Sequence, residues 1–364
     1  MPSKIKKLLP PLLTVLFAAA LIWAGRETAQ ECKKAVMLCL NVLIPSLFAF
    51  TAASKLLVST GAYKLAGKPF SLIARYVFRV PEELFPVFII SQLAGYPIGA
   101  SLINAMVSEK SVTKTQAEGF LCCCISPGPA YIMAVSAIAA PESPDAAIAV
   151  IISLFAANLA VLLLTAPFRP VPERSSEKIS CRLTAEDITA AARSAAESMT
   201  MICSMVLLMA AVTGILIKSG VLSAAAVTLS KLTDMPAVQI YPFIRAFLEI
   251  SGLSGVSGDS TVLLPLTAAM LCFGGLCVHM QIIAVCRDFS PLKALIMRVP
   301  CAVMSCLVCR ELVPKYCSAD IVSAMAEGES RLGVSNYSPI LSIILLIMTI
   351  LILSQKNVAK SQKI

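Results

Sequence analysis

The sequence predicts an all-α polytopic membrane protein with two inverted repeats, each holding a broken or re-entrant helical hairpin. Three observations carry this prediction. Hydrophobic residues make up 58% of the 364 and charged residues only 14%, with a mean hydropathy of +0.84. Several apolar runs are about as long as a bilayer is thick, roughly 20 residues. Two of them are interrupted by Gly and Pro at matching places. A soluble domain carries roughly 25% charge because water must wet its surface, so lipid is the solvent here. A barrel needs alternation and aromatic girdles, whereas 15 Met, 14 Phe and one Trp suit membrane helices. A soluble enzyme, a nucleic-acid binder and a secreted disulfide scaffold are excluded on these grounds.

The elements follow in chain order. Lys4, Lys6 and Lys7 precede an apolar run at 8–25, too long for a signal peptide core and followed by further spans, so it reads as a retained first helix. A second span covers 35–58 and contains Pro45. Residues 61–83 are amphipathic, with Lys64, Lys68, Arg75 and Arg79, and read as an interfacial segment. The apolar stretch 84–107 is broken by Gly95-Tyr96-Pro97-Ile98-Gly99. Spans at 119–140 and 146–167 flank an acidic turn. The polar stretch 168–198 separates the halves. In the second half, 200–217 is a span and 238–258 is broken by Ser251-Gly252-Leu253-Ser254-Gly255. Runs at 262–285, 294–309 and 340–353 complete about 8 to 10 membrane segments. The resulting division is an N-terminal helix (1–34), a first repeat (35–167), a linker (168–198), a second repeat (199–310) and a C-terminal segment (311–364).

Order, more than any single match, supports the duplication. Gln92-Leu93-Ala94-Gly95 corresponds to Glu249-Ile250-Ser251-Gly252, and Ser126-Pro127-Gly128 falls where Phe273-Gly274-Gly275 recurs. Charge then sets the topology. The net charge of +9 sits in short loops and at the termini, as the positive-inside rule expects, and is not a nucleic-acid signal. If both broken segments dip into the membrane and turn back, entering from opposite faces, every basic loop falls inside. These loops include Arg287, Lys293 and Arg298, and both termini are then cytoplasmic.

Interrupted segments at matching positions point to a transporter site, because unwound backbone leaves N–H and C=O groups that lipid cannot satisfy. Tight helix packing by small residues is the competing explanation for one Gly-x-x-x-Gly, such as Gly95 and Gly99. The expected substrate-binding set is Gln92, Gly95, Tyr96, Pro97, Gly99, Ser126, Gly128, Arg245, Glu249, Ser251, Gly252, Ser254 and His279. Arg245 and Glu249, at i and i+4, are placed to pair on one helix face, or Glu249 is protonated during part of a cycle. His279 is either a proton relay or a satisfied buried imidazole. Asn41, Asn104 and Asn158 are further polar residues near breaks or in mid-span.

No enzyme motif supports catalysis. Gly61 to Lys68 departs from a P-loop in spacing, with Pro69 in place of the Ser/Thr. Most of the 14 Cys lie in apolar runs, where Cys acts as a small hydrophobe. Cys301, Cys306 and Cys309 lack the paired spacing of a zinc site, so no metal or other cofactor is expected.

The run Gln92-Leu93-Ala94-Gly95-Tyr96-Pro97-Ile98-Gly99-Ala100 and the later Ser126-Pro127-Gly128-Pro129 resemble the signature of the sporulation integral membrane protein YlbJ family. That family is grouped with nucleoside-recognition, or gate-domain, membrane proteins. The resemblance covers about 42–310. It implies inverted repeats with re-entrant hairpins, and export of dipicolinic acid from the mother cell toward the forespore, in the outer forespore membrane of a spore former. Cys122-Cys123-Cys124-Ile125 departs from the more polar pattern expected there. The function expected is thus secondary-type transport of a small anion, dipicolinate, in the cell membrane. A nucleoside carrier is the alternative within transport, and a non-transporting sporulation scaffold is the alternative outside it. The expected partners are the lipid bilayer and the anion, and a homo-oligomer is compatible with this reading.

Overall fold

A computed structural model describes residues 2–317, apart from 142, 144, 170 and 173–182. The expected span at 340–353, the C-terminal lysines and the middle of the linker lie outside the described residues. Among the described residues every regular element is helical. Five helical stretches are long and apolar enough to cross a bilayer: Gly25–Ser59, Ala146–Phe168, Ala185–Lys218, Ser260–Val285 and Leu292–Tyr316. At 1.5 Å per residue, about 20 residues cross the hydrocarbon. These stretches have 23 to 35.

Helix α1 (Pro2–Trp23) meets α2 (Gly25–Leu38) through the single residue Ala24, whose carbonyl still accepts from Thr28 N–H at 2.9 Å. A π turn at Cys39–Leu43 joins α2 to α3 (Ile44–Ser59), so the second span begins earlier than expected, and α2 runs unbroken through 34 and 35. Pro45 explains the turn. Without an N–H it cannot donate to the carbonyl four residues back, and Ile44 N–H reaches back to Cys39 O instead. The amphipathic stretch holds α4 (Ala62–Gly67) and a π turn at Ile73–Val77, with Leu65, Leu72 and Tyr76 exposed as an interfacial segment requires.

Then come the half-length pieces. Helices α5 (Leu84–Ala94) and α6 (Ile98–Ser108) have 11 residues each. The next span is split into α7 (Lys114–Leu121) and α8 (Pro129–Ala139), with extended chain between them. Helix α9 (Ala146–Thr165) ends the first half. Helix α10 (Ala185–Lys218) opens the second, capped by Thr184, whose hydroxyl accepts from Asp187 N–H. Helix α11 (Val221–Thr233) leads to α12 (Ala237–Leu248), followed by a 3-10 turn at Ile250–Gly255. Helices α13 (Ser260–Phe273) and α14 (Gly275–Val285) are separated by Gly274, and α15 (Leu292–Tyr316) closes the described chain.

Polar contacts show which ends share a rim of the bundle. Arg169, after α9, donates to Phe78 O at 3.2 Å, ahead of α5, and to Gly119 O at 3.2 Å in α7. Glu118 in α7 pairs with Lys293 of α15 at 2.8 Å. Ser108, at the end of α6, donates to Asp288, just before α15, at 2.7 Å. The start of α5 and the end of α6 therefore belong to one rim, and the α5–α6 unit dips in and returns. Helix α12 and the chain after it form the second hairpin. Gly252 packs on the backbone of Arg245 and Ala246, Gly255 on Pro242, and Gly258 on Gln239, so the returning arm runs antiparallel to α12. At the other end of the 34-residue α10, Lys218 pairs with Glu27 at 3.3 Å, and α11 leads from there to this hairpin. The second returning arm, however, is 3-10 and extended chain instead of helix.

Burial divides the molecule into two bodies. A large apolar core joins the first hairpin to α7–α9, to α13–α15 and, through Ala246, Ile250, Leu253 and Val256, to the second hairpin. A smaller one joins α2, the π turn and α3 to α10 and, through Cys277, to α14.

Candidate functional site

Helix breaks from both halves converge where the two bodies meet. Gly95 adopts φ +79°, which favours glycine, and a side chain there would come within 3.0 Å of Gly128 N. The first hairpin tip therefore rests on the break between α7 and α8. Likewise Gly275 (φ +72°) lies against Phe247 O and Ile250 N, so the second tip rests on the break between α13 and α14. Tyr96 crosses between the two, its hydroxyl donating to Leu271 O at 2.5 Å.

Two cavities lie beside these breaks, of about 290 Å³ and about 530 Å³. The smaller is mostly apolar. One wall comes from α2, α3 and α10 (Leu38, Leu47, Val206) and the other from the breaks and the helices that follow them (Gly95, Tyr96, Gly128, Tyr131, Gln281). Its only charged lining residue is Glu249. The larger cavity runs toward the second rim and contains Glu31, Lys34, Asn41, Thr213, Arg245, Ser251 and Ser254. Leu38, Val42, Tyr131 and Glu249 line both, so they form the boundary between them. The π turn forced by Pro45 supplies Val42 to that boundary.

Several expected residues come together here: Gly95, Tyr96 and Gly128 in the smaller cavity, and Arg245, Glu249, Ser251, Gly252 and Ser254 in the larger. Others do not. Gln92 is tied to Cys123 O at 3.1 Å and accepts from Asn158 at 3.0 Å, bracing the break from behind. Gly99 is closed off by Cys124 and Ser91, as close packing predicts. Pro97 caps α6, and the buried Ser126 hydroxyl donates to Pro127 O at 3.4 Å. His279 lines neither cavity. Its Nδ1 bonds to Gly275 O at 2.6 Å and its ring tilts against Phe273 at 4.6 Å, so the half-buried imidazole is held by its own helix turn.

Two expectations are corrected. Arg245 and Glu249 do not pair on one helix face, because Glu249 has left the helix (φ −145°, ψ 124°). Arg245 instead forms a short ion pair with Glu31 of α2, while the Glu249 carboxylate accepts from Ser251 N–H at 3.0 Å and from the Ser251 hydroxyl. Arg298 is not a loop charge. It is 0% exposed inside α15 and donates to Ile125 O at 2.7 Å, Cys272 O at 3.4 Å, Cys122 O and Asn158 Oδ1 at 3.1 Å. Broken helices end in unpaired carbonyls, and a guanidinium with five donors satisfies several at once. Through Asn158 and Gln92 the same network reaches the first hairpin. The signal for Arg298 was an ionisable residue inside an apolar run, which is costly unless it has a partner. Glu31 gave no comparable signal, since it sits in a polar stretch of sequence.

Among known proteins the chain is similar to the sporulation integral membrane protein YlbJ of Bacillus subtilis (strain 168), with 26% identity over 159 residues. The aligned part is 44% of this chain and 39% of that protein, so it spans less than half of the relative's length. The relative bears the name that the Gly-Tyr-Pro and Ser-Pro-Gly-Pro motifs pointed to. No family model and no solved structure matches the chain.

Proposed function

We propose that this membrane protein is a secondary-type transporter of a small metabolite, built on an inverted repeat and carrying out no catalytic step. The observation that carries the proposal is the meeting of helix breaks from both halves at cavities between two separately packed bodies. Broken backbone inside a membrane persists where it lines a cavity, and two bodies that share few core residues can rock about a site between them. Dipicolinate, moved from mother cell toward forespore, is the substrate to test first. The relative's name places that protein in sporulation. The larger cavity holds two basic side chains, Arg245 and Lys34, and Tyr96 and Tyr131 offer aromatic faces to a flat ring in the smaller. One observation favours a neutral solute such as a nucleoside: the sole charge lining the smaller cavity is an acid, Glu249.

The first rim carries Lys64, Arg79, Lys110 and Lys114, and the positive-inside rule makes it the cytoplasmic one. The larger cavity then faces away from the cytoplasm. Counterflow in proteoliposomes tests the function, with labelled dipicolinate and labelled uridine as parallel probes. Exchange of dipicolinate above protein-free vesicles supports the anion reading, exchange of uridine alone supports the neutral one, and exchange of neither leaves the scaffold reading.

A further inference from the structure

We propose that Glu249 is the proton-binding group of this site: its carboxylate takes up one proton when an anion enters the adjoining cavity and releases it when the cavity empties. The proposal rests on the transporter reading above and adds a coupling ion to it. Its ground is geometric. Glu249 is one of four residues shared by both cavities and the only one of them with a carboxyl group.

Among the described residues no cation bonds to the Glu249 carboxylate: the two bases of the larger cavity, Arg245 and Lys34, both sit on Glu31, a group that carries one positive charge in excess. On its own hairpin, Arg245 is engaged by Glu31. From α2, Lys34 is also held by Glu31, at 2.7 Å. The phenol of Tyr96, on the first hairpin, is committed to Leu271 O. Tyr131 from α8 and Cys277 from α14 line the smaller cavity beside it, and Cys39 lies in the adjoining π turn. None of these three is basic. Ser251 N–H and hydroxyl both bond one carboxylate oxygen, Oε2. The other, Oε1, accepts from no described residue.

An anion brought into an apolar cavity beside a carboxylate that no cation bonds meets a repulsion that water no longer screens. Neutralising the carboxylate removes it. The step is a plain acid–base transfer: a proton from water in the larger cavity forms an O–H bond at the carboxylate, and the reverse step returns it to water. Solute binding and proton binding are then linked. Uptake of one proton per anion means that apparent affinity falls as pH rises, since the protonated, binding-competent form becomes scarcer.

The test uses the full chain purified in detergent, with dipicolinate and uridine as probes and a pH-indicator dye in weak buffer. Wild type should take up about one proton per dipicolinate bound, with affinity falling about tenfold per pH unit in the range where the group deprotonates. Uridine binding should move no proton. Glu249→Gln should remove the proton uptake and flatten the pH dependence, and Glu249→Asp should restore both. The aspartate variant separates a lost proton site from a misfolded one. Dipicolinate binding by Glu249→Gln with undiminished proton uptake would overturn the proposal while leaving transport intact. Binding that follows sodium at fixed pH, and not pH itself, would also overturn it. Wild type that binds only uridine overturns the anion reading and this proposal together, and wild type that binds neither probe overturns the transporter reading beneath both.

Discussion

The two broken hairpins are held in opposite ways. In the first, seven of the 11 residues of α5 are buried, as are seven of the 11 of α6. Its tip is backed by a continuous network from Gln92 through Asn158 to Arg298, which also ties the ends of α7 and α13. In the second, three of the 12 residues of α12 are buried. Its returning arm has no α-helix, with Ser254, Gly255, Ser257 and Gly258 exposed, and Arg245 ties it to α2 through Glu31. Low burial and irregular backbone mark the parts of a protein that open at low free-energy cost. The difference teaches that two similar breaks need not be held alike: the first hairpin is enclosed and braced, and the second shares its core only through Ala246, Ile250, Leu253 and Val256.

The strongest way to break this comparison is to cut the network behind the first hairpin. Arg298→Leu leaves the carbonyls of Ile125, Cys122 and Cys272 unpaired, each costing about 1–3 kcal/mol, so a loss of at least ~3 kcal/mol is expected in thermal unfolding in detergent. A loss below ~1 kcal/mol would mean that the first hairpin is not braced from α15. Next in size are the tip glycines. Gly95→Leu and Gly252→Leu should both leave an inserted protein and reduce vesicle transport at least about tenfold, because a side chain meets Gly128 backbone in one case and Arg245–Ala246 backbone in the other. Normal transport by both variants would make the breaks mere packing devices.

The tie on the second hairpin should be weaker. A double-mutant cycle with Glu31→Gln and Arg245→Gln is expected to give a coupling of about 1–3 kcal/mol, and the single variants should change transport more than unfolding. Zero coupling would remove the only charged tie between α12 and α2. Smallest of all, His279→Gln should change transport less than twofold and stability by under ~1 kcal/mol, since it removes one side-chain bond to Gly275 O outside both cavities.

How much of this was legible in the sequence divides along the same line. The breaks announce themselves, since Gly95-Tyr96-Pro97 and Ser251-Gly252 interrupt apolar runs, and charge placement suggested their opposite entry. Local features were readable because their causes are local. The ties were not, because their partners are far apart in the chain: Arg245 and Glu31 are separated by 214 residues, and Arg298 and Ile125 by 173. An i,i+4 spacing suggested Arg245 with Glu249, but the helix ends one residue before Glu249, so the spacing no longer sets a shared face. Arg298 was assigned to a loop because the positive-inside rule counts basic residues near span ends, and it sits seven residues into α15.

The central claim is that the two hairpins enter from opposite rims and return. Single cysteines at Glu82, Lys110 and Asp234 in a Cys-less background test it, probed in intact vesicles with a membrane-impermeant maleimide from each side in turn. Glu82 and Lys110 flank α5–α6, and Asp234 precedes α12. The structure predicts that Glu82 and Lys110 label from one side and Asp234 from the other. Labelling of Glu82 and Lys110 from opposite sides would mean that α5–α6 crosses the membrane, and the account would be contradicted at its root.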